Sequence, residues 1–373
     1  MNNQITNVNC PDKSSQFYFT TVTIAACSLN AILFLLIRKD THPLMKSYLP
    51  VLYTSTILDF TSALLQHSTQ VRPVQLGEYS ILTMCLDGWL PALVEDWPIF
   101  KDGNLNYLLI IEYLACYTTV LYSVIPFVFR YLLVVRNYRM SYFQFSCLFL
   151  CVLIYCYIAS VAITMLSAST HFENVQTMPK YNTSCTRFLP QFSIVNVNTT
   201  WRTVQFKIWF YMSSSFAYFY FIIMFCMFSI WRFLHKQSTL MSAQNRSIQW
   251  QVSLTISLQS LVPFCAYFGP VLFSSYTLDF GVYYQTIYYN ILFTSYTLVP
   301  LLNPLVPLIF VSRYRQALAH SAYRLISKAP GLEVWSNHQT TVSLTCRIRQ
   351  IDDVIFVRSH KPQKIRQRTL SEH

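Results

Sequence analysis

Two acids, Asp59 and Glu112, lie inside long apolar stretches of the sequence, where an isolated charge is costly, and Arg130 directly follows one of these stretches. A charged side chain at the centre of a bilayer costs about 2.5–3.5 kcal/mol on insertion scales, so such residues are candidates for function. The chemistry they could do is binding and signalling rather than the making and breaking of bonds.

The two acids each have more than one interpretation. Asp59 lies well inside the second apolar stretch, where it could be protonated, bind a cation, or hydrogen-bond to Asn303 in the last stretch. Glu112 lies near one end of the third stretch, where a ligand that enters from outside would meet it. The alternative is that Glu112 lies at the membrane interface and is hydrated.

Arg130 and Tyr131 end the third apolar stretch, and Arg136 and Arg139 follow. One interpretation is a topological anchor, because cytoplasmic flanks favour Arg and membrane interfaces favour Tyr. The other is a cation that neighbouring helices hold in a resting state and that is then released to contact a partner. The arginine alone favours the anchor.

The sequence contains no recognisable motif for covalent catalysis or metal binding. There is no H-E-x-x-H, no G-x-S-x-G and no phosphate-binding glycine loop, and the chain has only six glycines. The eight histidines are scattered: His42, His67, His171, His235, His320, His338, His360 and His373. We therefore expect neither an enzyme nor a protein with a metal or cofactor.

The composition is that of a membrane protein. Hydrophobic residues make up 53% of the chain and charged residues only 11%, against about 25% charged in soluble domains. The net charge of +12 could suggest nucleic acid. However, the basic residues lie between the apolar blocks and in the tail, where they would orient the protein in a membrane. We therefore expect no nucleic-acid partner.

The apolar blocks predict an all-α fold, a bundle of seven transmembrane helices. Tyr107 to Phe129, with Glu112 as its only charged residue, is long enough to cross a hydrocarbon core of about 30 Å. The predicted spans are residues 17–37, 47–66, 107–129, 143–167, 205–231, 248–273 and 286–310. Residues 1–16 form a short N-terminal segment, 311–328 a membrane-surface helix and 329–373 a basic, disordered tail.

Lysine and arginine positions predict the orientation of this bundle. The three loops expected inside hold nine of these residues and the tail eleven, whereas the segments expected outside hold six. An excess of Lys and Arg marks cytoplasmic loops. We therefore expect the N-terminus outside, the C-terminus inside and no cleaved signal peptide.

Two long loops are expected outside, at residues 67–106 and 168–204. They contain Cys85 and Cys185, which could pair under oxidising conditions, although Cys10 competes for either partner. The second loop also holds two glycosylation acceptors, Asn182 and Asn198.

Prolines interrupt the later spans. Each removes a backbone hydrogen bond and can kink its helix. They either give the helices a static shape or act as hinges that let the sixth and seventh helices swing. The hinge candidates are Pro263, Pro270, Asn303 and Pro304, with Asp59 as their polar partner.

Three short motifs, in order, resemble those of nematode serpentine chemoreceptors and most closely the Str-type superfamily. They are Phe129-Arg130-Tyr131 at the end of the third span, Gln259-Ser260-Leu261-Val262-Pro263 with Tyr267 and Pro270 in the sixth, and Pro300-Leu301-Leu302-Asn303-Pro304 followed by Tyr314-Arg315. One departure is Asn303, where that superfamily often has Asp. It is similar to the Asn-Pro of rhodopsin-like receptors, although the Tyr that completes their motif is absent.

The resemblance implies a seven-transmembrane G-protein-coupled receptor for an odorant or another small molecule. It places Arg130 and Tyr131 at the end that contacts a heterotrimeric G protein. It also implies a plasma-membrane location in sensory neurons, including the sensory cilium. The alternatives are a ligand-gated channel or transporter, an intramembrane enzyme, and a receptor-like protein in adhesion or trafficking.

Overall fold

A computed structural model describes ten stretches of the chain: residues 13–40, 48–76, 81–86, 88–94, 106–169, 187–193, 199–237, 242–268, 291–292 and 294–327. Up to residue 310 the helices are α1 (Lys13–Asp40), α2 (Leu49–Thr69), α3 (Trp89–Val94), α4 (Asn106–Tyr122), α5 (Val124–Val134), α6 (Tyr142–Ser169), α7 (Thr199–Gln237), α8 (Ala243–Pro263) and α9 (Val299–Phe310). A π-helical turn, Phe264–Phe268, continues α8. These elements belong to one compact unit.

The helices pack side by side as a bundle. Helix α1 lies against α2 and α9, α2 against α4, α4 against α6, α5 against α7, and α8 against α9. The main apolar core lies where α4, α6, α7, the π-helical turn and the segment before α9 meet, around Tyr117, Cys156, Phe216, Tyr267 and Tyr296. Cys116 and Tyr113, the neighbours of Glu112 along α4, pack against this core.

Large apolar side chains also cover the outside of the bundle. Ile24 and Leu35 on α1, Tyr157 on α6, and Phe221 and Phe228 on α7 are all more than half exposed. A water-soluble domain rarely exposes contiguous apolar surface of this kind. This surface matches the apolar interior of a bilayer.

Four of the described helical stretches are long and apolar enough to cross a membrane: Gln16–Lys39, Ile110–Val134, Tyr142–Thr164 and Ser213–Gln237. Helices α2 and α8 fall short of that apolarity because they carry polar residues into the bundle. Asp59, Ser62 and Gln66 of α2 are buried, as are Thr255 and Ser260 of α8. These two helices thus contribute part of the polar interior of the bundle.

The third predicted span is broken into α4 and α5. A proline has no N–H to donate to the carbonyl four residues earlier, so Pro126 leaves the carbonyl of Tyr122 without its helical donor. The break falls at Ser123, whose N–H bonds to the carbonyl of Val120 at 3.2 Å. Residues 110–134 still form one continuous span by length and composition.

The long loops contain a small antiparallel sheet that the sequence prediction missed. Its strands are β1 (Val71–Leu76), β2 (Ile81–Leu86) and β3 (Arg187–Ser193), in the order β1-β2-β3. Val71 lies opposite Leu86, and Cys85 lies opposite Phe188. The transmembrane part is helical as predicted, and the sheet joins the loop after α2 to the loop after α6.

Gly88 holds the loop after β2 against the end of α2. Its N–H donates to the carbonyl of Thr69 at 3.0 Å. A Cβ at this position would lie 1.8 Å from the carbonyl oxygen of Ser68, so only glycine fits the close approach.

A second unit begins at Val311. Its described part is helix α10 (Ser312–Ser327), where the sequence predicted a membrane-surface helix. The predicted tail, 329–373, lies outside the described residues.

Candidate functional site

The side chains of Asp59 and Asn303 meet in the centre of the bundle. Asn303 Nδ2 donates a hydrogen bond to Asp59 Oδ1 at 2.9 Å, and both side chains are buried. The sequence left three interpretations of Asp59 open, and the hydrogen bond to Asn303 is the one that the structure shows. Within the described part of the chain, no cationic side chain pairs with Asp59, so a neutral amide holds the acid.

Asn303 is also linked to α8 through its backbone. Pro307 cannot donate to the carbonyl of Asn303, four residues earlier. Gln259 Nε2 donates to that carbonyl instead, at 3.3 Å. Asn303 therefore contacts α2 through its side chain and α8 through its backbone.

A second proline of α9 creates a link to α1. Pro304 leaves the carbonyl of Pro300 without its helical donor. Asn30 Nδ2, which is fully buried in α1, donates to that carbonyl at 3.0 Å and to the carbonyl of Ala26 at 2.9 Å. The prolines of α9 thus leave two carbonyls without a donor inside the helix, and side chains of α1 and α8 donate to these carbonyls instead.

The remaining hinge candidates lie at the end of α8. Pro263 frees the carbonyl of Gln259, and the π-helical turn Phe264–Phe268 follows directly. Such turns occur mostly as single turns and often at functional sites. Pro270 lies outside the described residues.

A small cavity adjoins the Asp59–Asn303 pair. It has a volume of ≈ 30 Å³, enough for one water molecule. Hydroxyl and amide side chains face it from three helical segments: Thr119 of α4, Ser123 at the α4–α5 break, and Gln259 and Ser260 of α8. The centre of the bundle is therefore polar where four helices meet.

Arg130 is buried at one end of the bundle, with 1% of its surface exposed. Its Nη2 donates to the backbone carbonyl of Gln249 and to the side-chain Oε1 of Gln249 at 3.2 Å. Its guanidinium carbon lies 5.6 Å from the ring centroid of Tyr48. An interfacial anchor would be exposed, so this geometry matches the interpretation of a cation that neighbouring helices hold.

The partners of Arg130 are uncharged. The preceding residue is Phe129, and the sequence has no acid between residues 113 and 172 or between 174 and 278. Those ranges include all of α5 and α8. Within the described residues, Arg130 Nε and Nη1 are buried without a hydrogen-bond partner. A buried, incompletely satisfied cation is costly, so this end of the bundle is suited to an acceptor or an anion.

The other cations of this end are exposed. Arg136 Nε donates to Tyr131 Oη at 3.2 Å, and Arg139 is also exposed. The chain turns away from α5 at Asn137, which takes a left-handed conformation with φ 51°. Arg130 is thus buried, whereas Arg136 and Arg139 are available to a partner.

Glu112 lies toward the opposite end of the same span and is buried, with 6% of its surface exposed. Its Oε2 accepts a hydrogen bond from Thr69 Oγ1 at 2.9 Å. Thr69 is the last residue of α2. A buried Glu112 that accepts a hydrogen bond from Thr69 does not match the interpretation of a hydrated acid at the membrane interface.

Polar and aromatic side chains surround Glu112. Tyr296 and Cys116 lie close to Glu112, and Gln66 lies next to the Tyr296 hydroxyl. The Tyr296 ring packs on Tyr267 at a centroid distance of 4.9 Å. We call Glu112, Gln66, Thr69, Cys116 and Tyr296 the Glu112 cluster.

Sequence reasoning missed Tyr296, Cys116 and Gln66 of this cluster. With 26 tyrosines in the chain, no single one stands out. Helical spacing was the available signal, because Cys116 lies about one turn after Glu112 and Gln66 about one turn before Thr69. Which residue of the seventh helix faces them depends on packing.

Several predicted sites fall outside the described residues. Asn182, Asn198 and Cys185 are among them, so glycosylation and the Cys85–Cys185 disulfide stay predictions. The strand that contains Cys85 pairs with a strand that begins at Arg187, two residues after Cys185.

Comparisons with known proteins give one matching family and a similar fold. A family model, "Serpentine type 7TM GPCR chemoreceptor Srd", matches residues 15–320. The crystal structure of squid rhodopsin is similar in fold, with a TM-score of 0.53 and 12% sequence identity over 88% of this chain and 91% of that chain. A search of curated proteins gave no match.

Proposed function

Since the chain belongs to the Srd family of serpentine seven-transmembrane chemoreceptors, we propose that it binds a small molecule at the Glu112 cluster and activates a heterotrimeric G protein at the Arg130 end. The fold is that of a G-protein-coupled receptor. The resemblance to nematode serpentine chemoreceptors fits at the level of the superfamily. The Str-type assignment is not confirmed, because the matching family is Srd.

The Glu112 cluster supports the binding half of this proposal. Small-molecule sites combine aromatic walls with a few polar groups that fix orientation. The Tyr296 hydroxyl and the Cys116 thiol lie beside the Glu112 carboxyl, and the Gln66 amide lies next to Tyr296. A small ligand with a hydrogen-bond acceptor, or with a donor for Glu112, would bind among these buried groups. An odorant with one polar function has this character.

The Asp59–Asn303 pair supports a connection between the two ends. Asn303 joins α2 and α8, and Pro300, three residues earlier, joins α9 to α1. A ligand that binds one arrangement of these helices more tightly shifts the population toward it. Pro263, Pro270, Asn303 and Pro304 are the places where the sixth and seventh helices would move.

The Arg130 end supports the signalling half, and its geometry is the single observation that carries the proposal. Gln249 and Tyr48 hold Arg130, and among the described residues no acid contacts it and two of its guanidinium nitrogens have no hydrogen-bond partner. Movement of α8 would release Arg130 toward a protein partner. Tyr131, Arg136 and Arg139 would then complete a basic surface for the G protein.

Location and orientation belong to the same proposal. We infer a multi-pass plasma-membrane protein with the N-terminus outside and the C-terminus inside, and the sensory cilium as its place of action. Epitope tags at the two termini test this. The N-terminal tag should be labelled on intact cells, and the C-terminal tag only after permeabilisation.

A ligand screen with a second-messenger readout tests the function. Cells that express the chain are exposed to small volatile and water-soluble molecules, and hits are repeated with Arg130→Ala and Glu112→Gln. We expect Arg130→Ala to abolish the response and Glu112→Gln to change potency for some ligands. Ligand-evoked currents in excised patches without G protein would support a channel instead.

A further inference from the structure

A cavity of ≈ 110 Å³ lies beside Arg130, where α5, α7 and α8 meet. It is distinct from the Glu112 cluster and from the small cavity at Asp59. Its size approaches that of an apolar protein cavity of about 150 Å³ that takes up benzene. The lining includes Phe127, Arg130, Ile230, Trp231, Trp250 and Ser253.

Three side-chain polar atoms of the lining residues lack partners within the described chain. Arg130 Nε and Nη1 are buried without a hydrogen bond, and so is Ser253 Oγ. Because Arg130 also lines the cavity and is 1% exposed, an anion placed there would meet a desolvated guanidinium. Charge-assisted hydrogen bonds of this kind are roughly twice as strong as neutral ones.

The segments that build the cavity provide no acid. The sequence from residue 174 to 278, which contains α7 and α8, has no Asp or Glu, and neither does the sequence from 113 to 172. The same segments place Arg232 and Lys236 on α7 and Arg246 on α8. Charge complementarity therefore favours an anionic occupant from outside these helices.

The rest of the cavity wall is apolar. Phe127, Ile230 and Leu254 line it, and an extended peptide inserted there would leave its backbone N–H and C=O groups unsatisfied. A hydrocarbon chain has no such groups. The cavity therefore suits an amphiphile with one anionic head and an apolar body.

The cavity opens toward the surface that faces lipid. Trp231 on α7 is 51% exposed and Trp250 on α8 is 44% exposed, and both line the cavity. Phe228, about one turn before Trp231, is also exposed. Indole side chains are enriched at the level of lipid head groups, which is where an amphiphile would enter.

We propose that this cavity binds the anionic head of a membrane amphiphile, either a fatty-acid carboxylate or a phospholipid phosphate. The guanidinium of Arg130 and the hydroxyl of Ser253 bind the head, and the apolar chain passes between Trp231 and Trp250. An occupant there holds Arg130 beside Gln249 and so stabilises the resting arrangement. This regulatory consequence, but not the binding itself, depends on the proposed function.

Quenching of tryptophan fluorescence tests the site. The purified full chain in neutral lipid nanodiscs, without G protein or odorant, is titrated with stearic acid brominated along its chain. Parallel titrations use the methyl ester of the same acid and a phosphatidic acid with brominated chains. We expect saturable quenching by the acid or the phospholipid, little by the ester, and a smaller amplitude in Trp250→Phe. The tighter of the two anionic probes identifies the source.

Variants localise the head group. Arg130→Gln should weaken binding by about tenfold to a hundredfold, the loss expected for a hydrogen bond to a charged group. Arg136→Gln, which removes an exposed arginine at the same end, should keep wild-type affinity. Ser257→Phe, which fills the cavity and keeps Arg130, covers the case in which Arg130→Gln does not fold, and should block binding.

Equal quenching by the ester and the two anionic probes would overturn the proposal. Wild-type affinity in Arg130→Gln or in Ser257→Phe would overturn it as well. The titration needs no G protein, so it can succeed when coupling fails. Conversely, normal coupling with no probe binding would remove this inference alone.

Discussion

Arg130 donates hydrogen bonds from Nη2 to both the backbone carbonyl and the side-chain oxygen of Gln249. The contact joins the end of α5 to α8 through an uncharged partner. The backbone bond does not depend on the identity of residue 249, whereas the side-chain bond does. Substitutions of Gln249 can therefore adjust the strength of the contact without abolishing it.

Changes at Gln249 should alter basal signalling in opposite directions. Gln249→Leu removes one hydrogen bond to a charged group, worth about 1.5–3 kcal/mol, and should raise basal second-messenger levels by about tenfold or more. Gln249→Glu places an acid beside Arg130 and should lower them. The measurement compares basal levels at matched surface expression. Higher basal signalling in Gln249→Glu than in Gln249→Leu would contradict a holding role for this contact.

The hydrogen bond between Asp59 and Asn303 should contribute measurably to stability. Asn303→Ala removes the donor and leaves the acid buried, so we expect a loss of about 0.6–1.7 kcal/mol, the range found for interhelical hydrogen bonds in membranes. Asp59→Asn can still accept from Asn303 and should lose less. Thermal unfolding of the purified variants measures both. An equal loss would contradict this expectation and show that an amide oxygen at residue 59 cannot replace the carboxyl as the acceptor.

The bond from Asn30 to the carbonyl of Pro300 should matter only while Pro304 is present. Asn30→Ala leaves that carbonyl buried and unpaired, which costs about 1–3 kcal/mol. In Pro304→Ala, the new N–H can donate to the same carbonyl within α9, so the cost of Asn30→Ala should shrink. A double-mutant cycle on thermal stability gives the coupling. Additive effects would mean that the proline does not create the need for Asn30.

Gln259 and Pro307 offer a matched pair for the same argument. Gln259→Ala should destabilise the wild-type chain and have a smaller effect in Pro307→Ala, because Asn303 then regains its helical donor. The control combines residues from different pairs, for example Asn30→Ala with Pro307→Ala. The losses of thermal stability should then be additive.

The predicted disulfide joins the loops through β2 and the segment before β3. If Cys85 and Cys185 pair, Cys85→Ser and Cys185→Ser should each lower surface expression, and the double variant should be no worse than either single one. Peptide mass spectrometry under non-reducing conditions provides the direct measurement. Free thiols at both positions, or a bridge from Cys10 to either one, would contradict the pairing.

The sequence was sufficient to predict helices where apolar blocks are long, and it included the Asp59–Asn303 bond among its alternatives. It did not predict β1, β2 and β3, because short strands in polar loops lack the continuous apolar signal of a span. The prolines did predict which carbonyls of α9 lack a donor, because each proline removes the donor for the carbonyl four residues earlier. That Asn30 and Gln259 bind those carbonyls depends on how α1 and α8 pack, which no local pattern contains.

The burial of Arg130 was also beyond local reasoning. An arginine at the end of an apolar block is compatible with an exposed anchor and with a buried contact. The difference depends on Tyr48 and Gln249, which come from other helices. The aromatic side chains around Glu112 were unassigned for the same reason.

Nucleotide exchange on a purified heterotrimeric G protein, driven by the receptor in nanodiscs with an agonist from the screen, tests the central claim most directly. The account predicts agonist-dependent exchange by the wild-type chain, and its loss in Arg130→Ala while agonist binding at the Glu112 cluster is retained. Agonist binding without any exchange across the G-protein classes, or full exchange by Arg130→Ala, would contradict it.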